Sequence, residues 1–294
     1  MFCSLLAPTV VHGAVIYWDT NGVTAGAGAT PNGTWNSTNK NWSQVAAGNN
    51  SVDVWVSGST AVFSAGTDAT GAYTVTVTGT QTVAALTVED GNPTLSGGTV
   101  NFTGATPNLT VNTGHTLTLG SALTSTTGNL NISGGGTLSL SNNLTLANTV
   151  TLAGGTLKLN STSYTFGTLN ITGNSTIDFA GATTLNLTNL SISSGVTLTI
   201  QNWTQASDFF YTTNWAGAVK DLRDNLGTAP MNQIVFTGFT ANQTGWDSWD
   251  NQVRPNVPEP RTYGALLLGT LTGLFAWRRL VRHSTGDTHI APGL

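Results

Sequence analysis

Charge is what this chain has least of. Only 7% of its 294 residues are Asp, Glu, Lys or Arg, against roughly a quarter in an ordinary soluble domain. A surface laced with salt bridges is therefore excluded, and Thr, Asn, Ser and Gly must meet the solvent instead. Nine basic residues against thirteen acidic ones leave a formal charge of −4, without the cationic footprint that nucleic acid requires. No nucleic-acid partner is expected. The single cysteine, Cys3, excludes an internal disulfide, so other forces must hold the fold. The histidines, His12, His115, His283 and His289, are too scattered to make a metal-ligand cluster, and neither a metal nor a cofactor is expected. Tryptophan is missing from the long middle of the chain, with none between Trp55 and Trp203.

What fills that middle is a repeat. A strand-like pair of apolar residues recurs as Leu109/Val111, Leu130/Ile132, Val150/Leu152, Leu169/Ile171 and Leu190/Ile192, each followed by a turn glycine: Gly114, Gly135, Gly155, Gly173 and Gly195. A second series runs Val100/Phe102, Leu117/Leu119, Leu138/Leu140, Leu157/Leu159, Ile177/Phe179 and Leu198/Ile200. A third comprises Leu144/Leu146, Tyr164/Phe166 and Leu185/Leu187. Within each pair Leu or Ile alternates with Thr, Ser or Asn, the period of two that sends one face of a strand inward. Three short strands in about twenty residues describe one coil of a β-solenoid. The fold class expected is all-β, a right-handed parallel β-helix with Leu117, Leu138, Leu157, Ile177 and Leu198 stacked in one column. Asn131 and Asn170 stand at equivalent places for side-chain ladders. An antiparallel sandwich or a membrane barrel fits less well, because Asn-Gly and Asp-Gly hairpin turns are scarce and the strands are short.

An open coil is an unpaired sheet edge, so a solenoid needs caps. Trp18, Trp35, Trp42 and Trp55 precede the repeats, and Trp203, Trp215, Trp246 and Trp249 follow them; all eight read as cap-packing residues in preference to sugar-stacking platforms. Ala216–Leu226 reads as a short amphipathic helix and Gln233–Phe239 as a strand. The opening YWDTNGVTAGAG, then TWN, NWS and the segment VFSAGTDATGAYTVTVTGTQTVAALTVEDG resemble the start of autotransporter-associated β-strand repeat proteins. That resemblance implies an extracellular, passenger-like β-helix.

The two ends read as export devices. Met1–Ala14 is apolar with small residues at its close, like a secretory signal that lacks its basic start. At the far end Val257-Pro258-Glu259-Pro260 leads into an uncharged run, Tyr263–Trp277, closed by Arg278 and Arg279. Fifteen helical residues span only about 22 Å of a roughly 30 Å hydrocarbon core, so flanking residues and snorkelling arginines must extend the reach. Arg278, Arg279 and Arg282 place the C-terminus on the cytoplasmic side. The order of VPEP, short helix and paired arginine resembles the PEP-CTERM sorting signal of Gram-negative bacteria. It implies an exosortase as partner, membrane lipid before processing and exopolysaccharide around the mature protein.

Chemistry is sparse. Between Gly91 and Ser207 only His115, Lys158 and Asp178 are ionisable near neutrality, where a glycosidase needs two carboxylates at matched separation. Lys158 and Asp178 lie one coil apart and read as a surface ion pair worth at most about 1 kcal/mol. Asp247 and Asp250, beside Trp246 and Trp249, read as a solvated acidic loop rather than a Ca²⁺ or sugar site. No catalytic residue is assigned.

The organisation expected is a signal segment at 1–15, an N-terminal cap with first coils at 16–94 and solenoid repeats at 95–202. A C-terminal cap at 203–253 leads to a linker at 254–261, a transmembrane sorting helix at 262–282 and a cytoplasmic tail at 283–294. The function expected is a non-catalytic cell-surface or matrix protein, exported as an inner-membrane-anchored precursor. An adhesin or carbohydrate-binding surface protein is the alternative, and a polysaccharide-degrading β-helix is the least favoured.

Overall fold

The computed structural model describes residues 13–220, 227–247 and 249–256. Most of the signal segment, and the sorting tail with Val257, Pro258, Glu259, Pro260, Arg278 and Arg279, lie outside the described residues. Among the described residues the chain is all-β, and its strands wind into a parallel β-solenoid of about seven turns. Among the described residues the only helical pieces are two 3₁₀ turns, Met231–Gln233 and Ala241–Gln243.

Each turn crosses three sheets. In a central turn Thr137–Leu140 lies in the first sheet. The long strand Leu144–Leu152 then supplies the second and third, bending at Ala147–Asn148 where its register shifts. The next turn repeats this with Gly155–Leu159 and Ser163–Ile171. In-register stacking brings Leu117 beside Leu138, Leu138 beside Leu157 and Leu157 beside Ile177, all essentially inaccessible to solvent. Burying one such side chain contributes about 2 kcal/mol. A column of them, rather than charge or disulfides, supplies the favourable term.

The expected column differs from the observed one at its end. Ile177 pairs with Ile200, and Leu198 pairs with Ser175. The third-sheet residues Ile171 and Ile192 are partners, and from them the chain takes four residues to reach Ser175 but six to reach Leu198. Two extra residues in the corner at 193–197 therefore displace the column by one inward position. A second slip occurs earlier, where Ile132, not Leu130, stands beside Leu109. The corner at 135–136 is shorter than its neighbour at 112–115, and glycine makes that possible: Gly134, which leads into it, has φ +111°, and a Cβ on it would lie 2.1 Å from the Val111 carbonyl oxygen. Third, Val100 and Phe102 belong to the second sheet beside Leu123 and Ser125, while Leu95 is the neighbour of Leu119. Alternation is identical in all three sheets, so it marks strands without saying which sheet they join.

This register is directly testable. Parallel in-register partners sit within disulfide range, and Thr176 pairs with Thr199. In a Cys3→Ser background, Thr176→Cys with Thr199→Cys should cross-link on mild oxidation. Thr176→Cys with Thr197→Cys, which the expected column would have aligned, should not; mass spectrometry of the peptides distinguishes them.

Outward positions form hydroxyl and amide files. Thr116, Thr137, Thr156, Thr176 and Thr199 stand one beside the next in the first sheet. In the third, the Asn131 side-chain amide donates to Asn108 Oδ1 at 2.7 Å. Asn131 and Asn170 are not neighbours, because Thr151 stands between them.

The N-terminal cap is an aromatic cluster. Trp42 packs against Trp18, Trp35, Trp55 and Phe63 with ring centroids 5.2, 5.1, 4.7 and 5.6 Å away. Lys40–Ser43 pairs antiparallel with Val15–Trp18, which also pairs in parallel with Ser59–Phe63 in the next turn. Antiparallel strands thus cover that edge of the stack, in keeping with the liability of open edges. At the other end Trp215 and Trp246 are buried, and the Trp246 indole N–H donates to the Thr212 carbonyl at 3.0 Å. Trp249 departs from expectation, because it is 95% exposed. The expected helix at Ala216–Leu226 is not formed over 216–220, where the chain leaves the strand Phe209–Trp215 through a turn at Gly217; 221–226 lie outside the described residues. The expected strand at Gln233–Phe239 is observed as Ile234–Phe236.

Asp19 is buried in the N-terminal cap, with Oδ1 accepting the Asn21 and Gly22 amides and Oδ2 unpartnered. Burial pushes its carboxyl above the usual carboxylate range. A raised folded-state pKa makes ionisation favour unfolding, so this cost is present at neutral pH and vanishes as pH falls below the ordinary aspartate value. Asp19→Asn keeps the Oδ1 acceptor. It should melt at or above the wild-type temperature at pH 7, and the difference should disappear toward pH 3.

Candidate functional site

Several of the few charges on the solenoid are held by specific partners. Asp208, fully buried, joins two corners: Oδ1 accepts the Thr183 amide at 3.0 Å and Oδ2 the Thr204 amide at 2.7 Å. His115 Nδ1 meets the Gly91 carbonyl at 3.0 Å, tying adjacent turns. Asp68 accepts the Ala27 and Gly28 amides, and Asp90 accepts the Ala69 amide. These contacts staple the corners. Tyr164 is buried, its hydroxyl donates to the Leu140 carbonyl at 2.7 Å, and burial pushes its pKa up to about 12.

Asp247 and Asp250 form part of a turn. Asp247 pairs with Arg254 and accepts the Trp249 amide; Asp250 accepts the Gln252 amide. Both carboxylates are thereby engaged, and no cluster of three or more His, Cys, Asp or Glu suited to a metal occurs among the described residues.

Lys158 and Asp178 are brought together as neighbours in the first sheet. Their Nζ–Oδ2 distance is 3.9 Å, an ion pair without a close hydrogen bond, and Lys158 is 41% exposed. Asp178 is more covered than an outward position suggests. Asn202, at the end of the following strand, has φ +56° and donates its side-chain amide to Asp178 Oδ1 at 2.6 Å. Beside this group opens a cavity of about 550 Å³, lined among others by Lys158, Gly181, Asn202, Trp203, Thr204 and Ser207. Trp203 packs edge-on between Phe179 and Phe236, at 5.1 Å from each. The sequence showed Lys158 and Asp178 as a pair. It did not show that Asn202 and Trp203 fold onto them, because the corner that brings them there is longer than in earlier turns.

Fold and surface together define a parallel β-solenoid with an almost charge-free hydroxyl and amide exterior. A stretch of 150 residues, half of this chain, is 35% identical to a protein described as "Adhesin BmaC autotransporter" from Brucella suis biovar 1 (strain 1330). Half of this chain is thus similar to part of that protein, and the chain spans 4% of the length of that relative. No family model matches the chain, and no solved structure matches it.

No helix among the described residues is long and apolar enough to cross a membrane; the expected sorting helix at 262–282 lies outside them.

Proposed function

We propose that this chain is an exported, non-catalytic surface rod with an adhesin-like role, presenting a stiff hydroxyl- and amide-rich exterior to exopolysaccharide or to another surface. The observation that supports it most is the likeness of half of this chain to a protein described as an adhesin autotransporter, joined to a stack whose outward files are Thr, Ser and Asn. A right-handed winding fits the general preference of parallel crossovers. Asp178 and Asp208 favour a non-catalytic reading, since one is held by Lys158 and Asn202 and the other by two backbone amides. Incubation of the purified chain with neutral and acidic polysaccharides should release no new reducing ends or unsaturated products; turnover lost on Asp178→Asn or Asp208→Asn would overturn the non-catalytic reading.

Sorting belongs to the same proposal. Tyr263–Trp277 holds the precursor in the inner membrane, Arg278 and Arg279 stay cytoplasmic, and an exosortase acts near Pro258-Glu259-Pro260. Mass spectrometry of surface-released protein should find a C-terminus near Glu259 or Pro260. Recovery of Leu294 on mature surface protein in cells with an active exosortase would reject this route.

A further inference from the structure

The solenoid spends charge in very few places, and one of them is the wall of a cavity. Lys158 and Asp178 are the sole Lys, Arg, Asp or Glu between Gly91 and Ser207; Lys158 lines the 550 Å³ opening and Asp178 is its first-sheet neighbour. A cavity of about 430 Å³, lined among others by Asn129, Asn148, Thr168 and Asn189, has no charged residue in its lining. Charge is thus not a general requirement of the corners. We infer that the Trp203 cavity is a binding subsite for one neutral sugar residue of a glycan, an inference that rests on reading the chain as a binding rod.

The groups present match the two faces of a sugar ring. Thr204 and Ser207 line the cavity, and their hydroxyls supply both donors and acceptors for sugar hydroxyls; Asp178 is not in the lining and acts only through Lys158, 3.9 Å away. Asn202 donates one amide hydrogen to Asp178, and its remaining N–H and carbonyl supply one donor and one acceptor. Lys158 brings further donors at the rim. Trp203 is half-buried and held edge-on by Phe179 and Phe236, and its indole nitrogen is sealed from solvent. The ring therefore offers the cavity apolar surface, as the C–H face of a sugar requires, and its position is fixed in advance of binding. The volume falls within the roughly 300–1,000 Å³ of small-ligand clefts.

Electrostatics selects among sugars. Asp178 offsets Lys158, and Asp208 adds a second carboxylate whose oxygens are filled by backbone amides. One cation against two carboxylates gives a uronate or phosphate no net attraction, whereas neutral hydroxyls find both donors and acceptors. Asp208 is a positioning residue, joining the corner at Thr183 to the one at Thr204 and so holding the cavity open.

Titration calorimetry and saturation-transfer NMR on the purified full-length chain test this. The probes are glucose, galactose, mannose, N-acetylglucosamine and their β-linked disaccharides, with glucuronate and galacturonate as acidic counterparts. At least one neutral probe should bind saturably with Kd on the order of 1 mM, and the uronates should not. Asn202→Ala removes a lining donor and acceptor and should weaken binding about tenfold. Gly181→Trp should block the cavity: an added Cβ there meets nothing within 4 Å, so its melting temperature should stay within about 2 °C of wild type. No saturable neutral binding up to roughly 20 mM, preference for the uronates, or binding unchanged by Gly181→Trp would overturn the inference. Surface display without sugar binding would sink the subsite alone and leave the rod reading standing; the chain's absence from the surface would sink that reading.

Discussion

Leu157→Asp should split the solenoid. Leu157 is buried between Leu138 and Ile177 in the first-sheet column, and no cation lines that interior. The substitution removes about 2 kcal/mol of apolar burial and adds an unpaired buried carboxylate, for a total of roughly 5 kcal/mol or more. That is comparable with the whole stability of many domains. Because each coil contacts only its neighbours, the damage should start locally and spread along the stack. Hydrogen exchange should show lost protection across 137–179 first, with the thermal transition broadened or lost. A melting curve within a few degrees of wild type would mean that Leu157 does not sit in a packed column.

The second large effect is expected at the N-terminal cap. Trp42 touches four aromatic rings and is almost wholly buried, so Trp42→Ala should cost about 3–5 kcal/mol through lost contacts and the cavity left behind. The consequence should differ in kind from that of Leu157→Asp. Loosening of Lys40–Ser43 uncovers the edge of Val15–Trp18, and an uncovered parallel edge is a template for another chain. Size-exclusion chromatography should therefore show concentration-dependent association, together with a lower denaturant midpoint. A monomer of unchanged midpoint would show that the cluster does not seal the stack.

The solenoid was legible in the sequence because it is written in period two and period twenty. Leu138, Leu157 and Ile177 recur at near-constant spacing, and the structure stacks them. Where corner length changed, that spacing misled. Leu198 has the right interval from Ile177 but the wrong partner, since two extra residues at 193–197 bring Ile200 into the column instead. Leu130 fails beside Leu109 for the converse reason, a corner shortened by glycines whose Cβ atoms would strike backbone. Tryptophan position marked the caps correctly for Trp18, Trp35, Trp42, Trp215 and Trp246. Trp249 failed because chain position cannot tell a packing indole from one carried on the tip of a turn. Of the candidate site, Lys158 and Asp178 were visible as neighbours one coil apart. Asn202 reaches Asp178 only through a backbone with φ +56°, and nothing in residue spacing announces that conformation.

The proposal that this rod is displayed outside the cell is tested most directly by labelling intact cells. An epitope inserted after Ser161, at an exposed corner between Gly155–Leu159 and Ser163–Ile171, should be bound by antibody without permeabilisation and removed by external protease. Labelling that appears only after the membranes are opened, with the epitope protected from protease in intact cells, would contradict it.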